Sequence, residues 1–107
     1  MGRMYKLEYL PAALRDMTEA VQYISRALHN PQAAQDLAQK FVQAGESLSR
    51  FPYANPVYFP PQPLGWEYRK VLVSHYLMFY RVDEKERLVT VARVIYAKRD
   101  YHALLPQ

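Results

Sequence analysis

Apolar positions along this chain change period twice. Tyr5, Leu7 and Tyr9 alternate with Lys6 and Glu8, which predicts a short strand with one buried face. Pro11 suits the first position of a helix, where its missing N–H costs nothing. From there Leu14, Met17, Val21, Ile24 and Leu28 recur at alternating intervals of three and four, an apolar stripe on an α-helix, with Arg15, Asp16, Glu19, Gln22 and Arg26 off the stripe. That helix should end near His29, because Asn30 precedes Pro31 and a residue before proline avoids the α region. Asn30 then serves as N-cap and Pro31 as first residue of a second helix, on which Ala34, Leu37, Phe41, Ala44 and Leu48 repeat the same spacing. Two helices with matching stripes and a tight joint predict an antiparallel αα-hairpin, and the alanines at 34 and 44 permit close approach. Both stripes read as packed core.

Beyond the helices the period returns to two. Residues 52–65, PYANPVYFPPQPLG, hold five of the eight prolines and form a connecting loop, with Val57, Tyr58 and Phe59 able to dock as a short edge strand. Residues 66–73, 76–82 and 88–96 read as three strands, joined by a tight turn at Ser74-His75 and a polar hairpin loop at 83–87. The order of one strand, two helices and then strands predicts an α+β fold, with the helical hairpin packed on one face of an antiparallel sheet. At 107 residues the chain is expected to be a single domain, 1–107.

Pairing Val82 with Leu88 would put Leu77, Phe79, Arg81, Val89, Val91, Arg93 and Ile95 on one face, joined by Tyr68 and Lys70. Tyr76, Met78, Tyr80, Val82, Leu88, Ala92, Val94 and Tyr96 would take the other, and a slip of one residue would flip each assignment. Both faces are then apolar. Two helices cover only one, so the face bearing Arg81 and Arg93 needs another cover, for which a partner chain is the candidate.

Charge sharpens this picture. The net charge is +4, and residues 1–67 hold six basic and six acidic residues, whereas residues 68–107 hold eight basic against four acidic. All the excess therefore lies on the strands and tail, which suits an anionic partner, either nucleic acid or an acidic protein segment. The absence of cysteine excludes disulfides and thiolate metal sites and fits a reducing cytoplasm. No apolar run reaches the length of a membrane span, and the N-terminus does not read as a signal peptide, so a cytoplasmic protein with no membrane partner is expected.

Recognisable chemistry is sparse. His29, His75 and His102 show no metal-ligand spacing, and three glycines make no phosphate loop, so no cofactor or metal is expected. Cleavage of RNA through its 2′-hydroxyl needs only a base, an acid and cations that hold the phosphate. Arg69, Lys70, Arg81, Arg93, Lys98 and Arg99 are candidate cations, with Tyr68 and Tyr101 as candidate stacking or proton-transfer groups. The competing structural readings are a hairpin ion pair from Arg81 to Asp83 or Glu84, and a pair between Arg99 and Asp100. Arg69 and Arg93 interrupt apolar strands and need partners if buried. Lys85 and Arg87 read as loop charge.

With NPQAA opening the second helix, LSRFP ending it, YRKVLVSHYLMFYRVDE over the sheet and RVIYAKRDYHALL at the end, the chain resembles the RelE/ParE superfamily of small bacterial toxins. Within it, the likeness is to ParE-like plasmid-stabilisation proteins. The resemblance covers nearly the whole chain. It implies an α+β fold with a helical hairpin against a three- to four-stranded antiparallel sheet, and a toxin neutralised by a cognate antitoxin, whose extended or helical segment would be the missing cover. RelE-like members are ribosome-dependent mRNA endoribonucleases, whereas ParE-like members poison DNA gyrase. RelE-like toxins place a catalytic arginine where this chain has Leu77, and a basic or aromatic residue near Leu104 or Leu105; a basic position before the tail is kept as Arg99, and one on the second strand corresponds to Lys70. The resemblance thus favours a non-enzymatic gyrase poison, with Arg69, Arg81, Arg93, Lys98, Arg99 and Tyr101 as partner-binding candidates. The alternative is a nuclease acting on ribosome-bound mRNA, with Arg69, Lys70, Arg81 and Arg99 on the phosphate. A third reading is a degenerate toxin that acts only with its antitoxin in operator binding.

Overall fold

A computed structural model describes residues 4–106. Strand β1 (Lys6–Tyr9) leads into α1 (Pro11–Gln22), which loosens into a π-helical turn over Tyr23–Ala27. Helix α2 (Pro31–Arg50) follows, and then strands β2 (Val57–Tyr58), β3 (Tyr68–Val73), β4 (Tyr76–Asp83) and β5 (Leu88–Tyr96). Asn30 caps α2 as its sequence promised, its side-chain carbonyl accepting from Ala33 N at 3.1 Å. The joint between the helices is closed by His29 at φ 52°.

The architecture is α+β, two helices on one sheet, but the sheet has five strands and is mixed rather than antiparallel throughout. Its order is β1-β5-β4-β3-β2, and β1 runs parallel to β5, pairing Lys6 with Leu88 through Tyr9 with Val91. Alternation in residues 5–9 identifies a strand without giving its direction, which is set by a partner some eighty residues away. α2 holds β1 in place: Tyr5 N donates to Ser49 O at 2.8 Å and the Ser49 hydroxyl donates back to Tyr5 O. Gly45 lies buried on the same side, where a β-carbon would collide with the Tyr9 hydroxyl.

The stripe of α2 is buried as expected through Ala34, Leu37, Phe41 and Leu48. On α1 the deepest residues are Ala13 and Ala20, while Leu14 and Leu28, at the ends of the expected stripe, are half exposed. Small residues face the sheet at the closest approach, and Leu14 borders a groove of about 510 Å³ between the helices.

The two sheet faces differ from the expected sets in β5. Asp83, not Val82, pairs with Leu88, so the hairpin loop is one residue shorter, with Arg87 at φ 53°. This slip turns Val89 and Val91 toward the helices, with Met78, Tyr80 and Val94. A bulge opposite Phe79 and Tyr80 inserts Ala92 and reverses the alternation, returning Arg93 and Ile95 to the face of Leu77, Phe79 and Arg81. That second face is covered by the chain itself, contrary to the expectation of an outside cover: Tyr58 from β2 and the tail residues Tyr101, Leu104 and Leu105 close over Tyr68, Phe79, Ala92 and Ile95. Among the described residues no helix is long and apolar enough to cross a membrane.

Candidate functional site: the cations of the sheet and the tail over it

Strand alternation scatters the predicted cations. Arg69 points to the helix side, where it donates to Asn55 O at 2.7 Å, sits 5.0 Å from the Tyr53 ring and reaches Glu67 at 4.0 Å. Lys70, its neighbour in sequence, lies on the tail face with its ammonium 5.3 Å from the Tyr58 ring. These two candidates for one phosphate clamp are therefore separated by the sheet.

Arg93 is consumed internally. Its guanidinium grips the Asp16 carboxylate through two bonds, Nε at 2.7 Å and Nη2 at 3.0 Å, while Nη1 donates to Leu104 O at 3.0 Å. Asp16 also accepts from Val94 N at 2.9 Å, sealing the edge of β5 beyond the end of β1. Both side chains are less than a fifth exposed, and the Asp16 hydrogen bonds hold the Arg93 pKa above its ordinary value. Arg93 therefore ties α1, β5 and the tail together and is not a free cation for a partner.

Arg81 stands nearer the hairpin end of the tail face. It makes neither expected ion pair; its guanidinium instead lies 3.8 Å from the centre of the Trp66 ring, a cation–π contact at the surface. Glu8, Asp83, Glu84 and Thr90 line the small pocket around it, and Thr90, itself buried, donates to Glu8 at 3.1 Å. Glu84 takes a different partner. It accepts from the hydroxyls of Tyr5 at 2.7 Å and Tyr53 at 2.6 Å, and pairs with Arg87 at 2.9 Å. These three donors hold the Glu84 carboxyl at about 2, and the same bond raises Tyr53 to about 12. Arg87 is thus a structural residue of the hairpin, in keeping with its reading as loop charge.

Lys98 and Arg99 are exposed in the turn after β5, where Arg99 N donates to Tyr96 O at 2.9 Å; among the described residues neither side chain has an ion-pair partner, and the pair of Arg99 with Asp100 is not formed. Tyr101 packs as part of the cover, 5.2 Å from Phe79 and 5.9 Å from Tyr58 between ring centres. Tyr68 is fully buried and donates to Pro106 O at 3.1 Å, so it anchors the tail instead of offering a stacking surface. Leu77, at the position of the RelE-like arginine, faces the tail side between Leu72 and Ile95.

Sequence reasoning missed one grouping that could move a proton. The Tyr58 hydroxyl is hydrogen-bonded to Nδ1 of His102, whose ring stacks on Tyr58 at 10°. Burial, and then the charges of Tyr101 and Asp100, raise the Tyr58 pKa. The two residues are 44 apart in sequence, and no spacing signal links them. Among the described residues no group of His, Asp or Glu side chains is placed to hold a metal ion.

The comparisons with known proteins settle the family. The profile of the ParE toxin of type II toxin–antitoxin systems, parDE, matches residues 7–101. The chain belongs to the ParE toxin family. Three solved structures share the fold of this ParE-family chain. The chromosomal ParDE system of P. aeruginosa aligns with a TM-score of 0.68 at 15% identity, over 89% of this chain and 98% of that one. The RelBE2 toxin–antitoxin complex of Mycobacterium tuberculosis aligns at 0.61 and 19% identity, over 88% and 99%. The archaeal RelE–RelB complex of Pyrococcus horikoshii OT3 aligns at 0.58 and 15% identity, over 92% and 100%. No curated protein matches by sequence.

Proposed function

We propose that this ParE-family toxin acts in the cytoplasm on DNA gyrase, stalling its DNA-cleaved state, and is held inactive by a cognate antitoxin. The observation that carries the reading is the state of the sheet's cations. Arg69 and Lys70 lie on opposite faces, Arg93 is neutralised by Asp16, Arg81 is stacked on Trp66, and a leucine stands at position 77. A phosphorane needs several cations converging within hydrogen-bond distance of one point. This dispersal supports a toxin that works by binding. The family's solved relatives include toxin–antitoxin complexes, which supports an antitoxin as the partner.

Purified protein should inhibit gyrase supercoiling and accumulate cleaved DNA. Untouched gyrase, with ribosome-bound mRNA cut instead, would favour the second reading, a RelE-like nuclease. The feature behind that reading is the Tyr58–His102 pair with Lys70 beside it. In that case Arg99→Ala should abolish mRNA cleavage while leaving the fold intact.

A further inference from the structure

At the hairpin end of the helix side, three distant segments bring hydrogen-bond donors to one point at the surface. Tyr5 stands just before β1, Tyr53 in the loop after α2, and Arg87 between β4 and β5. Their target is the Glu84 carboxylate. Both phenols donate to Oε1, at 2.7 and 2.6 Å, and Arg87 Nη1 donates to Oε2 at 2.9 Å. The donors also hold each other. Arg87 Nη1 donates to the Tyr5 hydroxyl at 2.9 Å, its guanidinium lies 4.0 Å from the Tyr5 ring centre, and the two tyrosine rings meet edge-on. A second guanidinium, that of Arg69, lies 5.0 Å from the Tyr53 ring centre.

Two features exceed what a hairpin needs. Arg87 takes φ 53°, a left-handed conformation for which turns favour glycine or asparagine. What an arginine adds there is a cation aimed at the two phenols. The donors are also more than one carboxylate can use. A single oxygen takes both phenols, while among the described residues Arg87 Nε and Nη2 have no acceptor. A carboxylate brings two oxygens and one charge, whereas a phosphate monoester brings three terminal oxygens and close to two charges. Each donor residue then takes its own oxygen, and Arg69 supplies the second positive charge. The point is open to solvent, with 41% of the Arg87 side chain and 55% of the Glu84 side chain exposed. Glu84 can therefore swing out without disturbing either strand. Asp83 does not compete for the cations, because it is turned to accept from Glu86 N at 3.0 Å.

We propose that Tyr5, Tyr53 and Arg87 form a phosphate-binding site, and that the Glu84 side chain is a plug displaced when a phosphate group enters. This goes beyond the gyrase reading and does not rest on it.

The probe is inorganic phosphate, titrated into the full chain in mildly alkaline buffer and followed by the Tyr53 ring and Arg87 guanidinium NMR signals. Glu84→Ala removes the plug and should bind phosphate about tenfold more tightly than the unchanged chain. Glu86→Ala removes the same charge from the same loop and should change affinity by no more than about twofold. Adding Arg87→Gly to Glu84→Ala suits the left-handed turn and should return the affinity to that of the unchanged chain or below. Equal gains from Glu84→Ala and Glu86→Ala overturn the site, as does binding that survives Arg87→Gly; either result marks an adventitious ion only. Acetate bound by Glu84→Ala as tightly as phosphate overturns the phosphate assignment. A 5′-phosphorylated dinucleotide bound more tightly than inorganic phosphate supports the site with a nucleic-acid end as the source, and equal affinity supports it with a free phosphate. None of these readouts involves gyrase, so failure here and failure of the gyrase reading are separate results.

Discussion

The two faces of one sheet are held by different means. On the helix side Met78, Tyr80, Val89, Val91 and Val94 lie under two helices, and the cover is broad apolar area. On the other side a short tail covers Phe79, Ala92 and Ile95, and it is fixed largely by hydrogen bonds: Tyr68 to Pro106, Arg93 to Leu104, Tyr58 to His102. Area is non-directional and tolerates repacking, whereas a pin is lost with a single atom. The helix face should therefore fail globally and the tail face locally.

A matched pair of truncations tests this. Phe41→Ala empties the helix-side core, where Phe41 is 3% exposed and meets Tyr76 edge-on, and should cost about 3–5 kcal/mol in urea unfolding. Leu105→Ala, although 5% exposed, should cost only about 1–2 kcal/mol, because the tail can peel away before the sheet opens. Exchange should then quicken at tail amides such as Leu104 and not at Val91. Equal costs for the two variants would show that the tail is part of the global core.

Arg93 and Asp16 join the two halves, which makes them the sharper test. Asp16→Ala leaves a largely buried guanidinium and Val94 N without their acceptor and should cost about 2–3 kcal/mol, discounted from a fully buried pair for the remaining exposure. Arg93→Met should cost less, since Asp16 keeps Val94 N as a donor. The double change Asp16→Leu, Arg93→Met should fall short of the sum of the two single costs; additivity would mean the pair is not coupled.

Much of the fold was legible because it follows from short-range rules. Asn30-Pro31 set the helical joint and Ser74-His75 set a tight turn, and each acts through its own backbone. The face assignment failed because it needed two facts no single strand carries: the true length of the 84–87 loop and the bulge at Ala92. The candidate site failed in the same way. Arg93 announced by its place in an apolar strand that it needed a partner, but Asp16 looked like solvent-facing helix charge and gave no sign of being that partner. The cover of the second face was sought in another molecule because the tail's pins, from Tyr58 and Tyr68 to His102 and Pro106, span long stretches of chain and have no local pattern.

The exposed pin at Glu84 sets the lower limit of the comparison. It resembles Arg93–Asp16 in bond count, with Tyr5, Tyr53 and Arg87 all donating to one carboxylate, but it stands in solvent. Its carboxyl is lowered from 4.5 to about 2 on folding, so its contribution is fully present above the unfolded value and is lost as pH falls from about 4.5 toward 2. Tyr53 runs the other way: raised from 10.0 to about 12, it contributes below pH 10 and loses that contribution as pH rises toward 12. Tyr53→Phe should therefore flatten both limbs of a stability–pH profile, the acid limb because Glu84 loses a donor and the alkaline limb because the phenol is gone. The change should be smaller than for Asp16→Ala and should shrink further in high salt, since bulk water competes for every group in the cluster. An effect as large as that of Asp16→Ala would mean that the number of bonds, and not their burial, decides what a pin is worth in this fold.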